Sequence, residues 1–171
     1  MKKLLVFLGL VLFLSCQKEE TPLFIMEYIM EVPFEPSTNT VITYRVRERD
    51  ISSTFDQMLN QNNLKSEDVK TVRVRKAVIY PAVQRVSYSI LKKIDVSIFE
   101  ITDPDDLLVI AEEYPLPNDN RNELPMLPGL PNLKRFVEQD FFGLDVGYIL
   151  RRPLSERQVN YLRLELEAIG F

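Results

Sequence analysis

The stretch TVITYRVR, at residues 40–47, alternates apolar and polar side chains. The apolar set is Ile42, Tyr44 and Val46, and the opposite set is Thr43, Arg45 and Arg47. Successive side chains of a β-strand point to opposite faces of a sheet, so a period of two predicts a half-buried strand. The outer face of this strand is predicted to be basic.

The same alternation recurs along much of the chain. Further strands are predicted within residues 23–33, 69–83, 90–101, 107–111 and 144–150. Helical spacing predicts only two short helices, one before the Asn-rich residues 60–63 and one after Asn132. Asp103-Pro104-Asp105-Asp106 is predicted to be a turn, and the Pro-rich residues 113–131 a long rigid connection.

The last segment, residues 155–169, fits two structures. Alternation of Leu162, Leu164, Leu166 and Ala168 favours a strand. Helical spacing of Val159, Leu162, Leu166 and Ile169 also fits, with a capping-box pattern from Ser155 to Gln158. We favour the strand, because the alternation is unbroken. Without alternating strands and helices, the chain is predicted to be mostly β, an antiparallel sandwich of immunoglobulin-like or Greek-key order with two short helices.

The first twenty residues have a different composition from the rest. Lys2 and Lys3 precede an uncharged run at residues 4–14, the order typical of a secretory signal peptide. The run is too short to cross a bilayer, which takes roughly 20 apolar residues. It ends at Phe13-Leu14-Ser15-Cys16, and Cys16 is the only cysteine in the chain.

Phe13-Leu14-Ser15-Cys16 resembles a bacterial lipobox, and the following Gln17-Lys18-Glu19-Glu20 resembles the export signal of Bacteroidota-type surface lipoproteins. The resemblance implies cleavage before Cys16, a diacylglycerol thioether on its sulfur and an N-acyl chain such as palmitate on its amino group. It also implies attachment to the outer membrane, with the domain exposed at the cell surface.

The expected organisation is therefore a signal peptide at residues 1–15, an acylated tether at residues 16–22 and one β-sandwich domain at residues 23–171. The alternative to lipidation is a simple signal or an uncleaved anchor, in which Cys16 is an incidental apolar residue. The alternative to an export signal at residues 17–20 is a solvated tether, with the domain facing the periplasm.

Composition excludes several kinds of chemistry. The chain has no histidine, and acylation would consume its one thiol, so His-dependent triads and Cys nucleophiles are excluded. No Gly-rich phosphate loop is present. Removing Lys2 and Lys3 leaves 19 basic against 25 acidic side chains, a net charge of −6 that argues against a nucleic-acid partner. We expect a protein that is not an enzyme and that holds no cofactor beyond its lipid.

Two groups of side chains are weak site candidates. Oxygen ligands for Ca²⁺ are offered by Asp103, Asp105 and Asp106, and by Asn118, Asp119, Asn120, Asn122 and Glu123. A basic stripe for an anionic glycan or a lipid surface would arise if the strands carrying Arg45, Arg47, Arg49, Arg73, Arg75 and Lys76 were neighbours. The simpler interpretations are turn chemistry for the first group and a solvated, acid-paired sheet face for the second.

The sequence favours a lipid-anchored surface lipoprotein with a non-enzymatic binding or accessory domain, whose partner is a glycan or an outer-membrane protein complex. One alternative is a hydrolase that uses paired Asp or Glu residues, which requires a deep cleft lined by two close carboxylates. Another is an envelope or adhesion subunit that works by strand pairing, which requires a long unprotected edge strand.

Overall fold

The computed structural model describes residues 21–83, 87–117 and 121–171. The lipobox-like and export-like segments, and Asn118, Asp119 and Asn120 of the calcium candidates, lie outside the described residues. The strands are β1 (Phe24–Phe34), β2 (Tyr44–Ser52), β3 (Val69–Pro81), β4 (Leu91–Glu100), β5 (Asp103–Glu113), β6 (Leu124–Pro128), β7 (Phe141–Leu150) and β8 (Gln158–Gly170). The helices are α1 (Phe55–Gln61) and α2 (Lys134–Val137), with 3-10 turns at Ser66–Asp68 and Tyr88–Ile90.

All eight strands join in one antiparallel sheet with the order β1-β8-β3-β6-β5-β4-β7-β2. Strands β4, β5 and β6 are consecutive neighbours, and β3 lies on the far side of β6, which is the Greek-key arrangement. The sheet is nearly closed. The predicted class, a mostly β antiparallel fold with two short helices, is confirmed, and the Greek-key order is the one observed.

The core lies between the inward faces of the curved sheet. On β1, alternate residues from Phe24 to Phe34 are buried, as the period of two requires. The Tyr28 ring lies 5.1 Å from that of Phe142, and the Phe34 ring lies 4.5 Å from that of Tyr148. These aromatic contacts pack β1 against β7, on the opposite side of the core.

The final segment is a strand, as predicted. β8 is central to its part of the sheet, because it pairs with β1 on one side and β3 on the other. Leu162, Leu164 and Leu166 are fully buried. Pairing on both sides satisfies the backbone N–H and C=O groups of β8 along most of its length. A helix at this place would leave the facing backbone groups of β1 and β3 without these partners.

Two predictions about turns and connections were wrong. Asp103-Pro104-Asp105-Asp106 is not a turn, because β5 begins at Asp103 and pairs with Glu100 across residues 101–102. The Pro-rich connection contains a strand, β6, in which Leu124 and Met126 are buried. β6 pairs with β3 on one side and with β5 on the other, and this pairing stabilises it. The strand has only five residues, too few for an alternating pattern to be recognised in the sequence.

The prediction of a strand at residues 40–47 was wrong in its bounds, because β2 begins at Tyr44 and Ile42, expected on the buried face, precedes the strand and is 48% exposed. Residues 41 and 42 do not pair with β7; their amides donate to Oδ1 of Asn39.

At its other end, β2 continues to Ser52 through an irregularity between Glu48 and Ile51, where Asp50 has a φ of 58°. An Asp tolerates this left-handed conformation better than most residues. Helix α1 begins at Phe55, directly after Thr54. No helix in the described ranges is long and apolar enough to span a membrane.

Candidate functional site

The most unusual surface of the molecule is the outer face of β4, β7 and β2, which we call the charged outer face. Strand β7 lies between the other two. Across it, Ser97, Asp145 and Arg47 form one row, and Asp95, Gly147 and Arg45 form the next. Core residues such as Val146 alternate with these positions, so both rows point away from the core.

Asp145 is fully buried although it lies on this outer face. Its Oδ1 accepts a hydrogen bond from Nη1 of Arg45 at 2.5 Å, and its Oδ2 accepts one from Nε of Arg47 at 2.7 Å. A buried carboxylate is tolerated only when it is paired and hydrogen-bonded. These two bonds join side chains of β2 to β7, in addition to the backbone pairing of the two strands.

Two glycines on β7 make this arrangement possible. A Cβ at Gly143 would lie 2.0 Å from the Phe99 ring, and a Cβ at Gly147 would lie 2.8 Å from Oδ2 of Asp95. Because neither position has a side chain, Phe99 and Asp95 fold across β7. The face is thereby closed by the protein's own side chains.

Further contacts complete the closure of the charged outer face. The Arg47 guanidinium lies 5.1 Å from the centroid of the Phe99 ring, within cation–π range. Nζ of Lys93 lies 3.2 Å from Oδ1 of Asp95. Since Asp95, Ser97 and Phe99 are all buried, these contacts brace the sheet. The sequence signal for it was the pattern FGLDVGY at residues 142–148, where Gly, Asp and Gly alternate with apolar residues.

The predicted basic stripe does not form. Four strands separate β2 from β3 in the sheet order, so their arginines are not neighbours. On β3, Nε of Arg73 lies 2.6 Å from Oε1 of Glu167, and Nη1 of Arg75 lies 3.8 Å from Oε2 of Glu165. Arg45 and Arg47 pair with Asp145, and Arg49 and Lys76 lie exposed on the same two strands. The arrangement is an acid-paired sheet face, the simpler of the two interpretations.

The calcium candidates within the described residues are not gathered into a site. Asp103, Asp105 and Asp106 follow one another along β5, and Asp106 lies 3.8 Å from Nη2 of Arg135. Asn122 and Glu123 directly precede β6. Across residues 21–83, 87–117 and 121–171, no three acidic, Cys or His side chains group so that they could hold a metal ion.

Three open clefts lie on the described surface. The first, of about 370 Å³, lies between α1 and α2 and is lined in part by Ser53, Asp56, Asp140 and Phe141. Both of its carboxylates are solvent-exposed. The Ser53 hydroxyl donates to the Val137 carbonyl, and the Ser53 amide donates to that of Asp140. Because the cleft is open and both of its carboxylates face solvent, it differs from the deep cleft that the hydrolase alternative requires.

The other two clefts are more apolar. One, of about 400 Å³, lies beside Val83, Leu154 and Val159. The other, of about 320 Å³, lies between β5 and β6 beside Val109 and Leu127. Glu156 and Arg157 also line the first of these clefts, and Glu112 lines the second, so neither is lined by a pair of carboxylates.

Two buried tyrosines make hydrogen bonds to distant segments of the chain. The Tyr88 hydroxyl donates to Oδ1 of Asn160 at 3.1 Å, and the Tyr148 hydroxyl accepts from the Glu35 amide at 3.2 Å. Burial, with a smaller contribution from the charge of Glu123, raises the pKa of Tyr88 well above its usual value. Burial also raises the pKa of Tyr148. Both hydroxyls therefore remain neutral and serve as hydrogen-bonding links.

Comparison with known proteins identifies no family for this chain. No protein-family model matches the chain, and no curated protein sequence matches it. One similar solved structure is the P-domain of Macrobrachium rosenbergii nodavirus, at 15% identity. That comparison covers 88% of this chain and 98% of the viral chain with a TM-score of 0.31, a level at which the likeness supports no functional inference.

Proposed function

We propose that this protein is a bacterial outer-membrane lipoprotein, acylated on Cys16, whose β-sandwich serves as a non-enzymatic binding or accessory domain at the cell surface. The observation that carries the proposal is the position of the only cysteine. Cys16 ends the apolar run of residues 4–14 and stands eight residues before β1 begins at Phe24. A folded domain that follows a lipobox-like motif so closely is what a short-tethered lipoprotein requires.

Several features support binding over catalysis. The sequence has no histidine and no second cysteine. The only fully buried acid among the described residues, Asp145, is committed to two arginines. The described clefts are open at the surface, and among these three only the first is lined by two carboxylates, both of them exposed. Binding partners of this class would be a glycan or an outer-membrane protein complex.

Metabolic labelling tests the anchor. Cells that express the full chain receive an alkyne-tagged palmitate, and the Cys16→Ser variant is the matched control. We expect the label on the unaltered protein alone, together with partition into a detergent phase. Equal labelling of both proteins, or of neither, would reject acylation at Cys16.

Protease treatment of intact cells tests surface exposure separately. We expect the domain to be digested in cells that carry the unaltered chain. A variant in which Lys18, Glu19 and Glu20 are replaced by alanine should remain anchored but become protected. A domain that resists digestion in both strains, yet is digested after lysis, would place it on the periplasmic side.

A second candidate, an envelope or adhesion subunit that works by strand pairing, is favoured by one observation. β1 lies at an end of the sheet order and pairs with β8 along all eleven of its residues, while its other edge joins no strand ladder among the described residues. Glu27, Glu31 and Pro33 on β1 are residue types that discourage edge pairing. Concentration-dependent oligomers that a Pro substitution at Ile29 abolishes would support this candidate over the first.

A further inference from the structure

The two ends of the sheet differ in construction. At the end where β1 begins, the Phe24 ring lies 5.9 Å from that of Phe55 on α1. Nζ of Lys134 on α2 donates to the carbonyls of Ser66 and Val69 at 2.9 and 2.8 Å. Both helices therefore close this end, which we call the helical end.

The opposite end, which we call the loop end, consists of residues 35–43, 87–90 and 151–157. Ser37 and Leu154 exchange backbone hydrogen bonds of 2.9 and 2.8 Å there, and the Arg151 amide donates to the Ile90 carbonyl at 2.6 Å. The loop end also presents apolar surface, because Val41 is 84% exposed.

We infer that the helical end faces the lipid surface and that the loop end points away from it. This inference rests on the proposed acylation of Cys16. The eight residues from Cys16 to Phe24 span at most about 28 Å when fully extended. The eleven residues of β1 carry the chain about 35 Å further, toward the loop end. The tether therefore holds the helical end near the acyl chains and leaves the loop end one strand length further out.

Charge opposes the side-on arrangement that a short tether would still permit. After removal of Lys2 and Lys3, the chain carries a net charge of −6, so an anionic lipid surface repels it at close range. Arg163, on β8, lies beside an acid of β1, with its Nε 3.2 Å from Oε1 of Glu27. Arg157, directly before β8, has its Nη2 3.6 Å from Oε1 of Glu31. The face formed by β1 and β8 thus offers little free positive charge to draw it onto the membrane.

Site-specific energy transfer to the bilayer tests the orientation. The acylated full chain is prepared with one new thiol, either Gln61→Cys on the helical end or Val41→Cys on the loop end. Both side chains are exposed, and Cys16 is blocked by its lipid, so each variant takes one donor dye. The proteins are placed in phosphatidylglycerol-containing vesicles whose headgroups carry an acceptor. We expect most donor emission to be lost at residue 61 and little at residue 41.

A longer tether provides the matched control. Inserting a flexible Gly/Ser segment between Thr21 and Pro22 should reduce transfer at residue 61, because a flexible chain spans more distance as it lengthens. Equal transfer from both sites, stronger transfer from residue 41, or no response to the insertion would overturn the orientation while leaving acylation intact. A chain whose mass shows no acyl groups on Cys16 would overturn the orientation and the proposed function together.

Discussion

Replacing Asp145 with alanine should destabilise the protein through the loss of two hydrogen bonds that hold β2. Hydrogen bonds to charged groups each contribute about 1.5–3 kcal/mol, and removing one partner of a buried ion pair costs about 3–5 kcal/mol. Here the groups left behind are the side chains of Arg45 and Arg47, which are 44% and 27% exposed and can regain water. The lower end of that range applies, so we expect a loss of about 3 kcal/mol.

Urea unfolding of the purified protein measures this loss. The chain has no tryptophan, so the transition is followed by far-UV circular dichroism or by the fluorescence of its seven tyrosines. Asp145→Asn keeps the shape and one acceptor oxygen, and we expect it to lose about 2 kcal/mol. The matched control is Asp106→Ala, because that side chain is 69% exposed and lies 3.8 Å from its arginine. Exposed pairs of this kind contribute about 0–1 kcal/mol.

A double-mutant cycle with Arg47→Ala then isolates the coupling between the two side chains. We expect the Arg47 substitution to cost much less in the Asp145→Ala background than in the unaltered protein. The account of β2 attachment fails if Asp145→Ala loses less than about 1 kcal/mol, the value for an exposed pair. It also fails if Asp106→Ala is equally destabilising.

Three further predictions concern packing and pH. Gly143→Ala should lower the free energy of unfolding by about 1–3 kcal/mol, because its Cβ would overlap the Phe99 ring. In the control, Gly170→Ala, the new Cβ would lie 3.3 Å from a flexible leucine and should leave the melting temperature nearly unchanged. Similar melting temperatures for the two variants would contradict this prediction. Leu164→Ala, at a fully buried position of β8, should lower the free energy of unfolding in urea by about 2–5 kcal/mol. Leu130→Ala is the control and should be close to neutral, because Leu130 is 92% exposed. A neutral Leu164→Ala would contradict the central role of β8. The folded-state pKa of Tyr88 is raised above its ordinary value of 10.0, so its contribution to stability is constant below about pH 10 and decreases as the pH rises further. Tyr88→Phe should therefore reduce the slope of stability against pH in this alkaline range by up to about 1.4 kcal/mol per pH unit, and an unchanged slope would show that Tyr88 ionises equally in both states.

The strands that the sequence predicted correctly are those whose signal is local. Along residues 162–168, leucine and alanine alternate with charged residues, and the same alternation describes what is buried in β8. The period of two follows from the geometry of an extended backbone, whichever strands lie beside it. Helix α1 was predicted for a similar reason, because Phe55 and Leu59 share one helical face and both are buried.

The errors concern features that depend on neighbours. β6 has five residues, two of them proline, and it exists because β3 and β5 present edges to it. Asp103-Pro104-Asp105-Asp106 has the composition of a turn, yet the hairpin turns two residues earlier, where β4 and β5 come into register. Turn-forming residues favour a turn nearby, while pairing between strands determines which residues occupy it.

By itself, the sequence determined the β class of this protein, the faces of its long strands, the excluded catalytic chemistry and the lipobox-like pattern that ends at Cys16. Each of these depends on residue type and spacing along the chain. The tertiary structure alone decided which charges meet. It separated Arg45 and Arg47 from Arg73 and Arg75, and it buried Asp145 between strands β4 and β2. The order of the strands brings Arg45 and Asp145 into contact, although they are about 100 residues apart in the chain. A local sequence pattern describes only neighbouring residues, so it cannot predict such a contact.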